Sequence, residues 1–352
     1  MAVCVSSRSV VAGLAQWVNG RREELTGRVF FLESSGHLPA VLRLASADDV
    51  VFVPEGSQEI DGPAMTARYS GQFVGPGDEM LIEGRYAVEL QDYLAVAFLP
   101  VLGLTVVRLE NEADWESFLA DADLARGGGV FVEQLMHPAV LLADTGVTGF
   151  SHAASTVLPR AHVTVEGEIR TSATGTTVGT VDSTLEEILQ AAGRLPAAAE
   201  TDLCGVVAPE KVRGAVCQRP WLPRYLNALT ALRSVRRHGA NWWVSGFGKR
   251  LVPGVPSEAQ ELTTAPLLLW NDEDFLLLDL ATNRRFGLGA DAARLAELLI
   301  TADSMGQAVT RAVELLGLPE PVAQQALSQL EEKFRGAGLN GWVAVSAAEA
   351  MR

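Results

Sequence analysis

Five histidines, at His37, His137, His152, His162 and His238, are the side chains best suited to bind a metal or move a proton at neutral pH. A structural or catalytic zinc site needs three or four ligands, and a metalloprotease helix needs the HExxH spacing. None of the five has such neighbours. His152 and His162 flank a predicted loop and strand, and without a third ligand they read as ordinary turn or surface residues. The run GFGKR (Gly246–Arg250) has the glycines and lysine of a phosphate loop but not the GxxxxGK[ST] spacing or a following helix. GxSxG and the kinase motif set are absent. Cys204 and Cys217 stand apart with no histidine beside them and read as inert thiols. The carboxylates of Asn271–Asp274 (NDED) read as the solvated tip of a hairpin, and Trp242–Trp243 as core or interface aromatics. No catalytic motif emerges, and no cofactor or metal is expected.

The elements that would position a site come next. The 352 residues suggest two or three domains, and 48% hydrophobic against 20% charged residues fits a folded chain. A net charge of −15 opposes sequence-independent nucleic-acid binding, which needs a basic footprint. Three cysteines (Cys4, Cys204, Cys217) without a CxxC pair suggest reduced thiols and a cytoplasmic protein. The N-terminus lacks a basic region leading a long apolar run, so no signal peptide is expected. No uninterrupted apolar run approaches the roughly 18 residues that a membrane span needs.

In chain order, residues 9–19 fit a short amphipathic helix carrying Val10, Leu14 and Trp17, and RVFFLES (Arg28–Ser34) and DVVFVP (Asp49–Pro54) fit strands. LPAVLRLAS between them fits a strand or a short helix. Residues 55–80 fit loops with one short strand. LTVVRLE is strand-like, and a helix capped by Asn111 runs to Gly127–Gly129. VFVEQL (Val130–Leu135) and AVLLAD (Ala139–Asp144) are read as strands. AHVTVEGEIRTS alternates across Glu166–Gly167 as a hairpin does, and Ser183 with Glu186 has capping-box spacing. Residues 220–238 form a helix with a stripe at Leu226, Leu229, Leu232 and Val235. The organisation expected is a mixed α/β domain over 1–148, an α+β section over 149–255 that could continue the first, and a linker at 256–265.

Beyond the linker the pattern changes. PLLLW (Pro266–Trp270), FLLLD (Phe275–Asp279) and RRFGL (Arg284–Leu288) are short apolar runs bounded by turns, as in a strand meander. Helical spacing follows at Asp291, Leu295, Leu298 and Leu299, then over Met305–Leu316, stopped by Gly317. Pro319 and Pro321 open a third helix whose apolar face is Ala323, Ala326, Leu327, Leu330 and Phe334. Three strands followed by three helices within 266–345 make a small winged-helix layout, and the chain as a whole is α+β.

FLLLDLATNRRFGLGADAARLAELL, with QALSQLEEKFRGAGLN behind it, resembles the PqqD-like fold, the RiPP recognition element. The shared features are Asp279, Thr282 and Leu288 on the strand pair, the Ala-rich first helix and the closing Gly338–Leu339. Gly289 departs from the polar residue the family usually has after the leucine. The stretch Arg219–Leu251, set in the long region before the module, is similar to the daptide-pathway RiPP recognition proteins. That resemblance implies a non-catalytic partner that binds a precursor's leader peptide and presents it to separate enzymes: an oxidative decarboxylase, an aminotransferase and a methyltransferase. It implies no nucleic-acid or membrane partner.

In such modules the third strand is the receiving edge and the third helix the wall. The resemblance therefore nominates Arg284, Arg285, Phe286, Gly287 and Leu288 on the edge, and Gln324, Leu327, Ser328, Glu331 and Arg335 on the wall. An exposed edge offers unpaired N–H and C=O groups to an extended peptide, and Arg284 and Arg285 would suit an acidic leader. Core packing is the alternative for Phe286 and Leu327, and solvated turn charge the alternative for the arginines. Two other functions stay open at this point. One is a peptide-modifying enzyme with an unfamiliar site in residues 1–250. The other is a winged-helix DNA-binding regulator, which Glu331 and Glu332 beside Lys333 and Arg335 oppose.

Overall fold

Strands that are apolar at every position need both faces covered, and β1 (Val29–Leu32) and β2 (Val50–Pro54) set the architecture of the first unit for that reason. The computed structural model describes residues 7–22, 25–58, 60–144, 158–195, 203–235, 241–256, 265–280, 282 and 284–339. Contacts divide the chain into two units, one of Met1–Leu119 with Ala139–Arg219 and one of Ala120–Pro138 with Pro220–Arg352. The units divide at 119/120, 138/139 and 219/220, where the sequence reading has divisions at 148/149 and 256–265.

In the first unit β1 pairs in parallel with β2 on one side and with β8 (Arg160–Val163) on the other. The remaining strands are β3 (Met65–Gly71), β4 (Glu79–Ile82), β5 (Tyr86–Asp92), β6 (Leu104–Arg108), β7 (Val140–Leu142), β9 (Glu168–Arg170) and β10 (Thr177–Thr180). Together they form one mixed sheet ordered β10-β9-β8-β1-β2-β3-β4-β5-β6-β7. The hairpin expected across Glu166–Gly167 is β8–β9, and its pairing with β1 joins the start of the expected second section to the first.

Helix α1 (Ser7–Asn19) lies against β1 and also against β7, which stand fourth and tenth in the sheet, so the sheet curls around the helix. Val10, Leu14, Trp17 and Val18 pack there on Val29, Phe31, Val50 and Phe52. Buried Arg160 fastens the curl: Nη1 donates to the Trp17 and Val18 carbonyls, and Nη2 meets Asp144 Oδ1 at 2.5 Å, just beyond β7. The outer face, Phe30, Leu32, Val51 and Val53, is covered by α2 (Leu38–Leu44) and α4 (Leu185–Gly193). Helix α3 (Glu112–Gly128) starts where Asn111 accepts the Asp114 amide, and α5 (Pro209–Gln218) comes late in the first unit.

Three sequence readings shift. Residues 130–135 are irregular and end in a 3-10 turn at Gln134–Met136: Leu135 and Met136 are buried while Val130 is 63% exposed, so no alternation survives. The capping box of α4 is Thr184 with Glu187, because the Ser183 hydroxyl already closes the preceding turn on the Thr180 amide. Residues 55–80 supply a seven-residue strand, β3, and the start of a β4–β5 hairpin.

The second unit holds the expected meander of β12 (Leu267–Trp270), β13 (Phe275–Leu278) and β14 (Arg285–Leu288), all antiparallel, and a fourth strand, β11 (Trp243–Val244), pairs with β12. Three helices follow: α7 (Ala290–Ile300), α8 (Met305–Leu316) and α9 (Glu320–Gly336). Ser304 caps α8, and left-handed Gly317 ends it. Leu268, Leu277, Ala293, Leu298, Leu299, Val309, Leu327, Leu330 and Phe334 form the core between sheet and helices. Helix α6 (Leu222–Val235) carries no simple stripe. It is buried on nearly every side, and the fully buried Arg224 ties it to the Ala265 and Pro266 carbonyls ahead of β12 at 2.6 and 3.2 Å. Glu297 of α7, also fully buried, takes hydrogen bonds from Ser245 Oγ, Leu251 N and Val252 N. Residues well before the expected linker are therefore integral to this unit. Among the described residues no helix is long and apolar enough to cross a membrane.

Candidate functional site

The hairpin of β13 and β14 is closed by Asp279, whose carboxylate accepts the Thr282 hydroxyl and whose amide donates to Arg284 O at 2.9 Å. That bond fixes the phase of the ladder. In an antiparallel pair, bonded and non-bonded partners alternate. With Asp279 and Arg284 bonded, the next bonded pairs are Leu277 with Phe286 and Phe275 with Leu288. Arg285 and Gly287 consequently turn their N–H and C=O groups away from β13, along the outer edge of the sheet. No described strand pairs with that edge.

Side chains alternate too. Phe286 and Leu288 share the face of Leu277, half-buried against the core under the helices, while Arg285 and Gly287 are exposed on the opposite face. The Arg285 side chain makes no hydrogen bond or ion pair among the described residues. Arg284 differs from expectation. It precedes the strand, its guanidinium lies 5.0 Å over the Phe286 ring, and Nη1 donates to Ala337 O at 2.6 Å. A cation at a helix C-terminus complements the dipole, so Arg284 joins the start of β14 to the end of α9 and leaves Arg285 as the free cation of the pair.

On α9, Gln324, Ser328, Glu331 and Arg335 follow one another at helical spacing as a stripe beside the buried Ala323–Leu327–Leu330–Phe334 stripe. Gln324 donates to Ser328 at 3.2 Å, and Arg335 pairs with Glu331 at 2.7 Å. Leu327 is 0% exposed and has no surface to offer an incoming chain, so it is core and not wall. Gln324, Ser328 and Arg335 are exposed and Glu331 half-exposed.

The chemistry considered at the histidines takes a different form. His162, buried on β8, pairs with Glu33 (Nε2 to Oε1, 2.8 Å) and stacks on Phe31. The His162 bond, helped by the Val165 amide, holds the Glu33 carboxyl below its ordinary range. The pair exists only because β1 and β8 lie side by side, which local spacing cannot show. His37 is bonded to Val165 O, and His152, His238 and Cys4 lie outside the described residues. Among the described residues no group of three or more His, Cys, Asp or Glu is placed to hold a metal.

The loop Gly246–Arg250 has polar groups committed within itself and to its neighbours. Gly246 N donates to Lys249 O, Arg126 donates to Gly246 O, Lys249 sits 4.5 Å over the Trp243 ring, and Arg250 reaches Ser245 Oγ. In the first unit a small cleft is lined by Trp17, Phe73, Arg108, Asp144 and Arg160. Its two arginines are ion-paired, Arg108 with Glu110 and Arg160 with Asp144. Sequence reasoning also missed Glu297, a charged residue in an otherwise apolar helical run. Its burial pushes the carboxyl pKa up despite three donors. No family model, curated protein or solved structure matches the chain.

Proposed function

We propose that this chain is a non-catalytic recognition protein that takes an extended segment of a precursor's leader peptide as a fifth strand on β14 and presents the peptide to separate modifying enzymes. What supports the reading most is the edge itself. Two consecutive outward-facing residues, Arg285 and Gly287, leave main-chain donors and acceptors free beside the half-buried Phe286 and Leu288. Main-chain bonds to such an edge supply affinity, and the alternating side chains supply choice. The exposed Arg285 favours an acidic leader. In a daptide-type pathway the recipients of the peptide are an oxidative decarboxylase, an aminotransferase and a methyltransferase, acting in the cytoplasm.

A fluorescence-anisotropy titration of the labelled leader encoded beside this gene tests the reading. The full chain binds saturably, and Arg285→Glu weakens binding about tenfold, the cost of one favourable charge contact made repulsive (about 1.4 kcal/mol). Absence of leader binding, with duplex DNA from the same locus bound instead, would replace this reading with that of a regulator.

A further inference from the structure

Glycine weakens a strand, because it offers no side chain to pack and has more freedom to lose. A glycine inside an edge strand therefore calls for a reason, and the usual reasons are absent at Gly287. Its backbone is not in the left-handed region, and a Cβ built on it would meet nothing within 4 Å. Neither the turn nor the packing requires the missing side chain.

The row of side chains that Gly287 ends is instructive. On the face away from α7–α9, cross-strand partners run Val244, Leu269, Leu276, Gly287. Val244 and Leu269 are each 1% exposed and Leu276 is half-buried. The row stops one residue short, leaving the flank of Leu276 open beside the free edge. The neighbouring row, Leu267, Leu278, Arg285, ends in the exposed cation.

We propose that Gly287 is a specificity notch: the strand that adds to β14 carries a bulky aromatic side chain opposite Gly287, lying back across it onto Leu276, and an acidic residue two positions away opposite Arg285. This inference rests on the strand-addition reading and gives it a sequence rule. Cross-strand aromatics cover edge glycines in this manner, and directly opposed side chains on one face are near enough to interact. The ligand residue between the two points to the helix face, where Phe286 and Leu288 make an apolar neighbour the match. The rule reads acidic–apolar–aromatic in one chain direction and the reverse in the other. Charge along the hairpin adds polarity. Exposed Asp272, Glu273 and Asp274 cluster at the turn near the Leu288 end, opposite in sign to the Arg285 end.

A random twelve-residue peptide library displayed against the full chain, and against Gly287→Val and Arg285→Glu, tests this. The wild-type chain enriches aromatic and acidic residues two positions apart. Gly287→Val, whose Cβ meets no atom within 4 Å, folds with an unchanged or higher thermal midpoint and binds the enriched aromatic peptides at least tenfold more weakly. Gly287→Ala, the milder filling, gives a smaller loss in the same direction. Equal binding of those peptides by wild type and the folded Gly287 variants overturns the notch and leaves strand addition standing. Equal enrichment of acidic residues by the wild-type chain and Arg285→Glu overturns the acidic half of the rule, and no enrichment by either chain overturns strand addition, and the notch with it.

Discussion

Replacing Glu297 with alanine should loosen the second unit more than any exposed substitution on it. The carboxylate is 0% exposed; Oε1 accepts Ser245 Oγ at 2.6 Å and Leu251 N at 2.9 Å, and Oε2 accepts Val252 N at 2.5 Å. Alanine removes the acceptors and keeps the three donors. Ser245 Oγ and Val252 N are buried and Leu251 N partly so; an orphaned buried donor costs about 1–3 kcal/mol, so the loss is at least about 2 kcal/mol. Glu297→Gln keeps one acceptor oxygen and should cost less. The acid also carries a pH signature. Burial raises its pKa in the folded state, so the folded chain holds the proton more tightly than the unfolded chain does. The stability that this raised pKa contributes is fully present below the unfolded-state value. It falls as pH rises through the folded-state value and is flat above, and the glutamine variant lacks the slope. Urea titration with amide exchange on β12 and β13 isolates this unit, since two units need not unfold as one. A loss below about 1 kcal/mol in the alanine variant would refute the claim that these donors depend on Glu297.

Three further outcomes follow from the same contacts. Arg284→Ala should cost about 1 kcal/mol in denaturant titration through its lost bond to Ala337 O and its ring contact, whereas Arg285→Ala should be within about 0.5 kcal/mol of wild type. In the first unit burial pushes Asp49 up, but the hydrogen bonds from Arg28 and the Ser46 amide outweigh it and leave its pKa lowered. The stability it contributes is present above the ordinary carboxylate range and is lost as pH falls through the folded-state value, and Asp49→Asn should flatten that acid limb of a thermal-melt series. A fragment of residues 260–352 should fail to give a cooperative melt, because it lacks β11, Val252, Val255 and all three Glu297 donors.

What was legible in the sequence was local. The meander announced itself through the NDED turn and the apolar runs flanking it, and α8 through its stop at Gly317, because caps and turns act within a few residues. The α+β class followed from those signals. What lay beyond reach was long-range pairing. β8 joins β1 across more than a hundred residues, and β11 joins β12 across the stretch that composition marks as a linker. The burial of α6 on nearly every side could not be read from Leu226, Leu229, Leu232 and Val235 alone, since Arg224 and Asn227 are polar by type yet buried. At the candidate site, the edge strand was readable from its position in the meander. The division of labour between Arg284 and Arg285 was not, because it depends on where the end of α9 comes to rest.

Amide hydrogen exchange at Arg285 and Gly287, measured on the full chain with and without saturating leader peptide, tests strand addition at its point of contact. Both amides point outward from β14, so strand addition predicts that they exchange fast in the free chain and slow by at least about tenfold in the complex, as new ladder bonds form. Saturable leader binding with both amides unchanged would place the peptide elsewhere and contradict the account.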